Sequence, residues 1–238
     1  MFRRLEVLPT RSAVEDRVAA ELATAVHSAV ASRGRADIVV TGGTVGIGTL
    51  AALARSPLVS EIEWTRVHVW WGDERFVPAG HTERNEQQAR DALFSRIAIP
   101  TANLHTFPAD HGQTVGDARD EFLAEHRDGF PAFDVVLSGI GPDGHTASLF
   151  PGLPHGEGED VIAVAHSPKP PAERMSFTFD ALNRGQRVWI VASGADKADA
   201  VARIVADAPQ TETPATALCG VVETVVWVDA DAASGISS

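Results

Sequence analysis

The stretch Ala36-Asp37-Ile38-Val39-Val40-Thr41-Gly42-Gly43 decides the fold class. An apolar, β-branched run stopped by two glycines has the composition of a strand buried on both faces, as in a parallel sheet. Upstream, Val14, Val18, Leu22, Val26 and Val30 recur every fourth residue between a Ser12/Glu15 capping-box pattern and Gly34, predicting an amphipathic helix over 13–33. Downstream the alternation repeats: helix 45–55, strand 66–71, helix 83–96, a short strand near 104–107, helix 114–127 and strand 133–138. Beyond a loop rich in Gly and Pro at 151–159, strands are expected at 160–166, 174–179, 187–193 and 224–229, with a helix over 195–207. This order predicts an α/β fold: a mainly parallel, doubly wound open sheet with helices on both faces. No repeat or linker divides the chain. Residues 1–238 are expected to form one domain, with Ser167-Pro-Lys-Pro-Pro171 as a surface loop and about 231–238 as a frayed tail.

Composition narrows the function. Of 238 residues, 44% are hydrophobic and 22% charged, the balance of a globular protein. Acidic residues outnumber basic ones 32 to 20, and a formal charge of -12 repels nucleic acid and anionic membranes. An anionic ligand therefore needs a local basic site. The single cysteine, Cys219, forms no internal disulfide, which fits a reducing compartment. The N-terminal MFRRLEVLPTRSAVEDR lacks the apolar core of a signal peptide, and no apolar run approaches the ~18 residues of a membrane helix. A cytoplasmic monomer is the expectation. Only two of the 20 basic residues, Lys169 and Lys197, are lysines.

Ligands of open α/β sheets bind beyond the carboxyl ends of the strands. Here those ends read Gly42-Gly43-Thr44, Gly72-Asp73-Glu74-Arg75, Gly139-Ile-Gly141-Pro-Asp143-Gly-His145 and Gly194-Ala-Asp196-Lys197. The first offers backbone N–H groups and a hydroxyl at a helix start, a phosphate site. Lys197 falls in a first helical turn, where a cation opposes the dipole and gains nothing structurally, so it too points to phosphate. Asp143-Gly144-His145 sets a carboxylate beside an imidazole that can exchange a proton near neutral pH. Asp73-Glu74-Arg75 reads equally as a site and as an ion pair at a sheet edge. The other eight histidines are expected to be surface or packing residues. Gly139-x-Gly-x-x-Gly144 and Gly46-x-Gly-x-x-Ala51 match dinucleotide-binding patterns but fail on context, the first lacking a crossover helix and the second lying inside a helix. No G-x-S-x-G, H-E-x-x-H or Walker motif occurs, and neither a metal nor an organic cofactor is expected.

VVTGGTVGIG, VHVWWGDERFVP followed by Asn85, FDVVLSGIGPDGHTASLFPG, RMSFTFDALN and VASGADKADAV together resemble the 6-phosphogluconolactonases, in a superfamily that also contains glucosamine-6-phosphate deaminase. The resemblance spans nearly the whole chain in order. It implies cofactor-free hydrolysis of a phosphorylated sugar lactone, 6-phosphoglucono-1,5-lactone, to 6-phosphogluconate, a step of the oxidative pentose phosphate pathway. It further implies Gly42, Gly43, Thr44 and Lys197 at the phosphate with Arg174 near them, Asp73 and Arg75 along the sugar, and His145 as general base with Asp143 beside it. The family's usual Gly-Gly-Ser-Thr-Pro loop reads Gly42-Gly43-Thr44-Val45-Gly46 here. Two alternatives remain: an aldose-ketose isomerase or deaminase using Asp73 as base, and a noncatalytic sugar-phosphate-binding regulator.

Overall fold

A computed structural model describes residues 3–236. In chain order the elements are β1 (Arg4–Leu8), α1 (Arg11–Arg33), β2 (Ala36–Val40), α2 (Gly43–Arg55), β3 (Val67–Trp71), β4 (Asp73–Arg75), α3 (Asn85–Ala92), β5 (Leu104–His105), α4 (Val115–Glu125), β6 (Val135–Gly139), β7 (Val161–Val164), β8 (Arg174–Phe177), α5 (Phe179–Leu182), β9 (Arg187–Ala192), α6 (Ala198–Val205) and β10 (Glu223–Asp229).

Seven strands form one sheet in the order β1-β10-β9-β6-β2-β3-β5, and every pairing in it is parallel. The chain first moves one way across this sheet, from β1 through β2 and β3 to β5, then returns through β6 and β9 to β10. Right-handed crossovers then put α1, α2 and α3 on one face and α4 and α6 on the other. The side chains agree, since neighbours on a strand leave by opposite faces. Trp71 of β3 packs edge-on to Phe94 just after α3, whereas Trp70 meets Phe133, Phe177 and His126 on the opposite side. The two directions of travel diverge between the adjacent strands β2 and β6, which opens a crevice at their carboxyl ends.

Several sequence expectations shift. The 160–166 and 174–179 strands do not join the main sheet; β7 and β8 pair antiparallel with the three-residue β4 in a separate small sheet, order β4-β8-β7. Its Phe177 shares the Trp70 cluster, so both sheets rest on one hydrophobic core. Helix α1 is capped by Thr10, whose Oγ1 accepts from Ala13 N at 3.2 Å, rather than by Ser12, because Glu15 is turned to Arg11 at 3.5 Å. The helix expected over 195–207 is a 3-10 turn, Ala195–Lys197, followed by α6. The expected tail is packed as far as 236: Ala232 is 0% exposed and its N–H donates to Asp229 Oδ1 at 2.9 Å, while Gly235 lies against the Ala198 carbonyl. Residues 237–238 lie outside the described residues.

Candidate active site

Two adjoining cavities occupy the crevice. The larger, about 420 Å³, is lined by Gly42 to Gly46, by Ser193, Gly194 and Lys197 beyond β9, and by Arg11. Gly43 takes φ +76°, which a glycine adopts without strain, and opens α2 with no side-chain cap, so the first-turn N–H groups keep their hydrogen-bonding capacity for a ligand. Gly46 is required by packing: a Cβ there would lie 2.6 Å from both the Cγ2 and the carbonyl oxygen of Thr41. Lys197 reaches the same cavity with Nζ 3.2 Å from Asp196 Oδ2. Its turn is fixed by Asp229 at the end of β10, which accepts from Ser193 Oγ at 2.7 Å and Gly194 N at 3.0 Å. Burial pushes the Asp229 carboxyl up, but these bonds and the Ala232 N–H outweigh it and hold the group below its ordinary value.

The second cavity, about 120 Å³, shares Gly42, Gly43, Gly139 and Ile140 with the first and is also lined by Asp73, Arg75, Asn85, His145 and Arg174. Pairing of β4 with β8 sets Arg75 opposite Arg174. Asp73, 6% exposed, accepts from Ser148 Oγ at 2.7 Å and Asn85 Nδ2 at 3.2 Å, with Arg174 Nη1 at 3.8 Å. Asn85 in turn accepts from Arg75 Nη1 and leaves no room at residue 42, where a Cβ would fall 1.9 Å from its Oδ1. The triplet Asp73-Glu74-Arg75 is therefore not an ion pair of its own. Glu74 turns inward, accepts from the N–H groups of Arg75, Asn85 and Glu86 at 2.7 to 2.8 Å, and secures the start of α3. Burial pushes its carboxyl up to about 7, with Arg84 and the amides opposing.

His145 sits on the loop after β6. Its Nδ1 lies 2.5 Å from Asp143 Oδ1, and its ring packs on Phe150 with centroids 4.6 Å apart. Burial pushes the imidazole below its ordinary 6.5, the Lys169 charge adds to this, and Asp143 opposes it. The ring is thus neutral at neutral pH. An ionised Asp143 accepts a hydrogen bond from Nδ1–H, which leaves Nε2, without a partner among the described residues, as the basic nitrogen. Gly141 makes the pair possible: a Cβ there would lie 2.0 Å from His145 Nδ1 and 2.3 Å from Asp143 Oδ1. The glycine pattern after β6 is a clearance for His145 and Asp143, and it leads into a compact loop bridged at Ile140–Thr146 and Thr146–Leu149 rather than into a helix.

The fold thus gathers Gly42, Gly43, Thr44 and Lys197 around one cavity, and Asp73, Arg75, His145 and, through it, Asp143 around the other. Arg174 joins the second group. It lines the second cavity rather than the first, and its Nε and Nη2 donate to the carbonyls of Lys169, Pro170 and Pro171 at 3.1 to 3.2 Å. Four contributors were not foreseen: Arg11, Asn85, Ser148 and Lys169. The scarcity of lysine was the one signal for Lys169. Arg11 and Asn85 are the first residues of α1 and α3, Asn85 having entered the sequence reading only through the resemblance, and Ser148 lies on the loop after β6; a residue's place at a helix start or on a loop does not by itself mark it for the site. No cluster of three or more His, Cys, Asp or Glu suited to a metal ion occurs among the described residues, and no helix there is long and apolar enough to cross a membrane.

Residues 9–227 match the family described as glucosamine-6-phosphate isomerases/6-phosphogluconolactonase. A 6-phosphogluconolactonase of Mycobacterium leprae (strain TN) is 42% identical over 248 residues, covering 99% of this chain and 99% of that protein. One from Streptomyces coelicolor is 40% identical, covering 97% of this chain and 94% of the relative. The crystal structure of 6-phosphogluconolactonase from Thermotoga maritima superposes with a TM-score of 0.85 at 27% identity, covering 96% of this chain and 100% of that one. Strand order, paired cavities and relatives agree that the chain belongs to the glucosamine-6-phosphate isomerase/6-phosphogluconolactonase family.

Proposed function

We infer that the protein hydrolyses 6-phosphoglucono-1,5-lactone to 6-phosphogluconate, the hydrolytic step of the oxidative pentose phosphate pathway. The observation that carries this reading is the adjacency of an uncapped helix start with Lys197 and a neutral imidazole oriented by Asp143, in cavities that share four residues. The phosphate is anchored by the Gly43 and Thr44 amides, the Thr44 hydroxyl and Lys197, and that remote binding energy positions the carbonyl in the second cavity. Nε2 of His145 takes a proton from water as its oxygen attacks C1. Arg75, whose Nη2 has no acceptor among the described residues, supplies the donor for the oxyanion. Collapse breaks the C1–O5 bond, the imidazolium returns its proton to O5, and the new carboxylic acid releases a proton to water.

The isomerase or deaminase reading needs a free carboxylate to move a carbon-bound proton. Both oxygens of Asp73 already accept from protein donors, Ser148 and Asn85, with Arg174 beside them, which fixes the group in place and weakens it as a base. A cytoplasmic monomer acting on a small molecule, without nucleic acid or membrane, fits the net charge of -12 and the single cysteine. The test is acid release from freshly generated phosphogluconolactone with the spontaneous rate subtracted. A rate no higher than that background overturns the assignment.

A further inference from the structure

Lys169 lies on the loop between β7 and β8, 24 residues from His145, and lines neither cavity. Its Nζ is nonetheless 3.4 Å from Asp143 Oδ1 and 3.2 Å from His145 Nδ1. An ammonium has no lone pair to offer the ring, and Nδ1 already donates its N–H to Asp143. The cation therefore binds the carboxylate and stands unfavourably close to the imidazole, on the side away from the substrate cavity.

The loop that carries it is fastened rather than loose. Ser167 N donates to Ala172 O at 2.8 Å, and Lys169 N to Ser167 Oγ at 3.2 Å. Arg174 holds three successive carbonyls, those of Lys169, Pro170 and Pro171, while its Nη1 faces Asp73. A continuous set of contacts thus runs from the sugar-side carboxylate, through a buried guanidinium, to the loop that places the ammonium.

We propose that Lys169 is a positioning residue for the hydrolysis, its ammonium orienting Asp143 and opposing protonation of His145 from behind the ring. This rests on His145 being the base. The charged groups around the imidazole are Asp143 on its own loop, Asp73 of β4 across the cavity, the guanidiniums of Arg75 and Arg174 on the cavity wall, and Lys169. Asp143 and Asp73 favour the imidazolium and Lys169 disfavours it. Without the lysine the balance tilts toward the protonated ring, which cannot accept a proton from water. Removing one like charge at this range raises proton affinity by about tenfold or more, moving the titration up by about one pH unit.

The experiment compares wild type with Lys169→Met and Lys169→Arg, reading the His145 ring by two-bond ¹H–¹⁵N correlation, assigned by its loss in His145→Gln. The expected result is a His145 titration about one unit higher in Lys169→Met and near wild type in Lys169→Arg. The acid limb of kcat on phosphogluconolactone moves by the same amount, so activity falls by a few-fold at pH 6 and hardly at all at pH 8.5. An unchanged His145 titration in folded Lys169→Met overturns the proposal, as does a loss of kcat uniform across pH. Absence of lactone hydrolysis by wild type overturns the functional reading instead, while the ring titration still decides the role of Lys169.

Discussion

Gly141→Ala is the most informative single methyl group that can be added to this protein. Gly141 is not among the glycines with positive φ, so alanine meets no backbone penalty there. The cost is entirely steric. The new Cβ would fall 2.0 Å from His145 Nδ1, 2.1 Å from its Cε1 and 2.3 Å from Asp143 Oδ1, whereas ordinary contact begins at 3.4 Å. The ring must retreat by roughly 1.4 Å and the 2.5 Å bond to Asp143 must break or rotate. Displacement of about 1 Å can cost 10²-fold, and complete loss of a positioned base about 10² to 10⁴. We expect kcat to fall by about 10² to 10⁴, with KM changed little because the larger cavity, the proposed phosphate site, is untouched. Stability should drop only by about 1 to 3 kcal/mol, since the partly exposed Asp143 can swing outward. Gly116→Ala is the control, its methyl meeting nothing nearer than Thr114 Oγ1 at 3.7 Å, and it should leave kcat unchanged. Stopped-flow acid release gives the rates, and circular dichroism checks the fold. A folded Gly141→Ala enzyme with kcat within threefold of wild type would refute the assignment of the His145–Asp143 pair to the chemistry.

Lys197→Ala should reduce kcat/KM on the phosphorylated lactone by roughly 10- to 150-fold, the worth of one charge-assisted contact, and leave hydrolysis of unphosphorylated gluconolactone nearly unchanged. Equal losses on both substrates would place Lys197 elsewhere. Exhaustive chelation and dialysis should leave the rate intact, and a loss restored only by a metal ion or a nucleotide would contradict the proposed chemistry. His105, stacked on Trp70 at 3.9 Å, is pushed down to about 4 by burial and by His68 and His126. The unfolded chain takes up that proton more readily, so this contribution is complete above about 6.5 and is lost as pH falls toward about 4. Discounted for partial exposure, it amounts to about 1 to 2 kcal/mol. Urea unfolding at pH 7 and pH 4.5 should show a smaller acid loss for His105→Gln than for wild type, and identical losses would exclude it.

The sequence reveals most where one physical demand dominates. β2, β3, β6, β9 and β10 are buried on both faces, so each is a nearly unbroken apolar run and each was anticipated. β1 escaped because an edge strand pairs on one side only and carries Arg4 and Glu6 in an alternating pattern. β4 and α5, with three and four residues, hold too little sequence for any period. The lining of the larger cavity was legible because backbone amides, a helix start and a lysine are all local signals. Arg174 lines the second cavity because β8 pairs antiparallel with β4, a strand distant in sequence, and no local pattern encodes that pairing. The departures at Val45 and Gly46 also find a reason. Val45 is buried and contributes no hydroxyl, while Thr41 presses so closely on Gly46 that no Cβ, proline's included, fits there.

The partnership of the first strand with the last bears on how the chain assembles. Arg4 lies opposite Val225, so β1 leaves the ribosome long before the strand that receives it exists. At 5 to 20 residues per second that interval is roughly ten to forty seconds. During it, five residues with a free hydrogen-bonding edge must remain unattached among other nascent and folded chains. The charges of Arg4 and Glu6 that hid β1 from pattern reading serve that wait, because a short charged strand is a poor template for foreign strands. Contacts so distant in sequence close late. On refolding, the amides of β2, β6 and β9 should gain exchange protection before those of β1, with the sheet growing outward from its middle and sealed at its edge by the oldest residues of the chain.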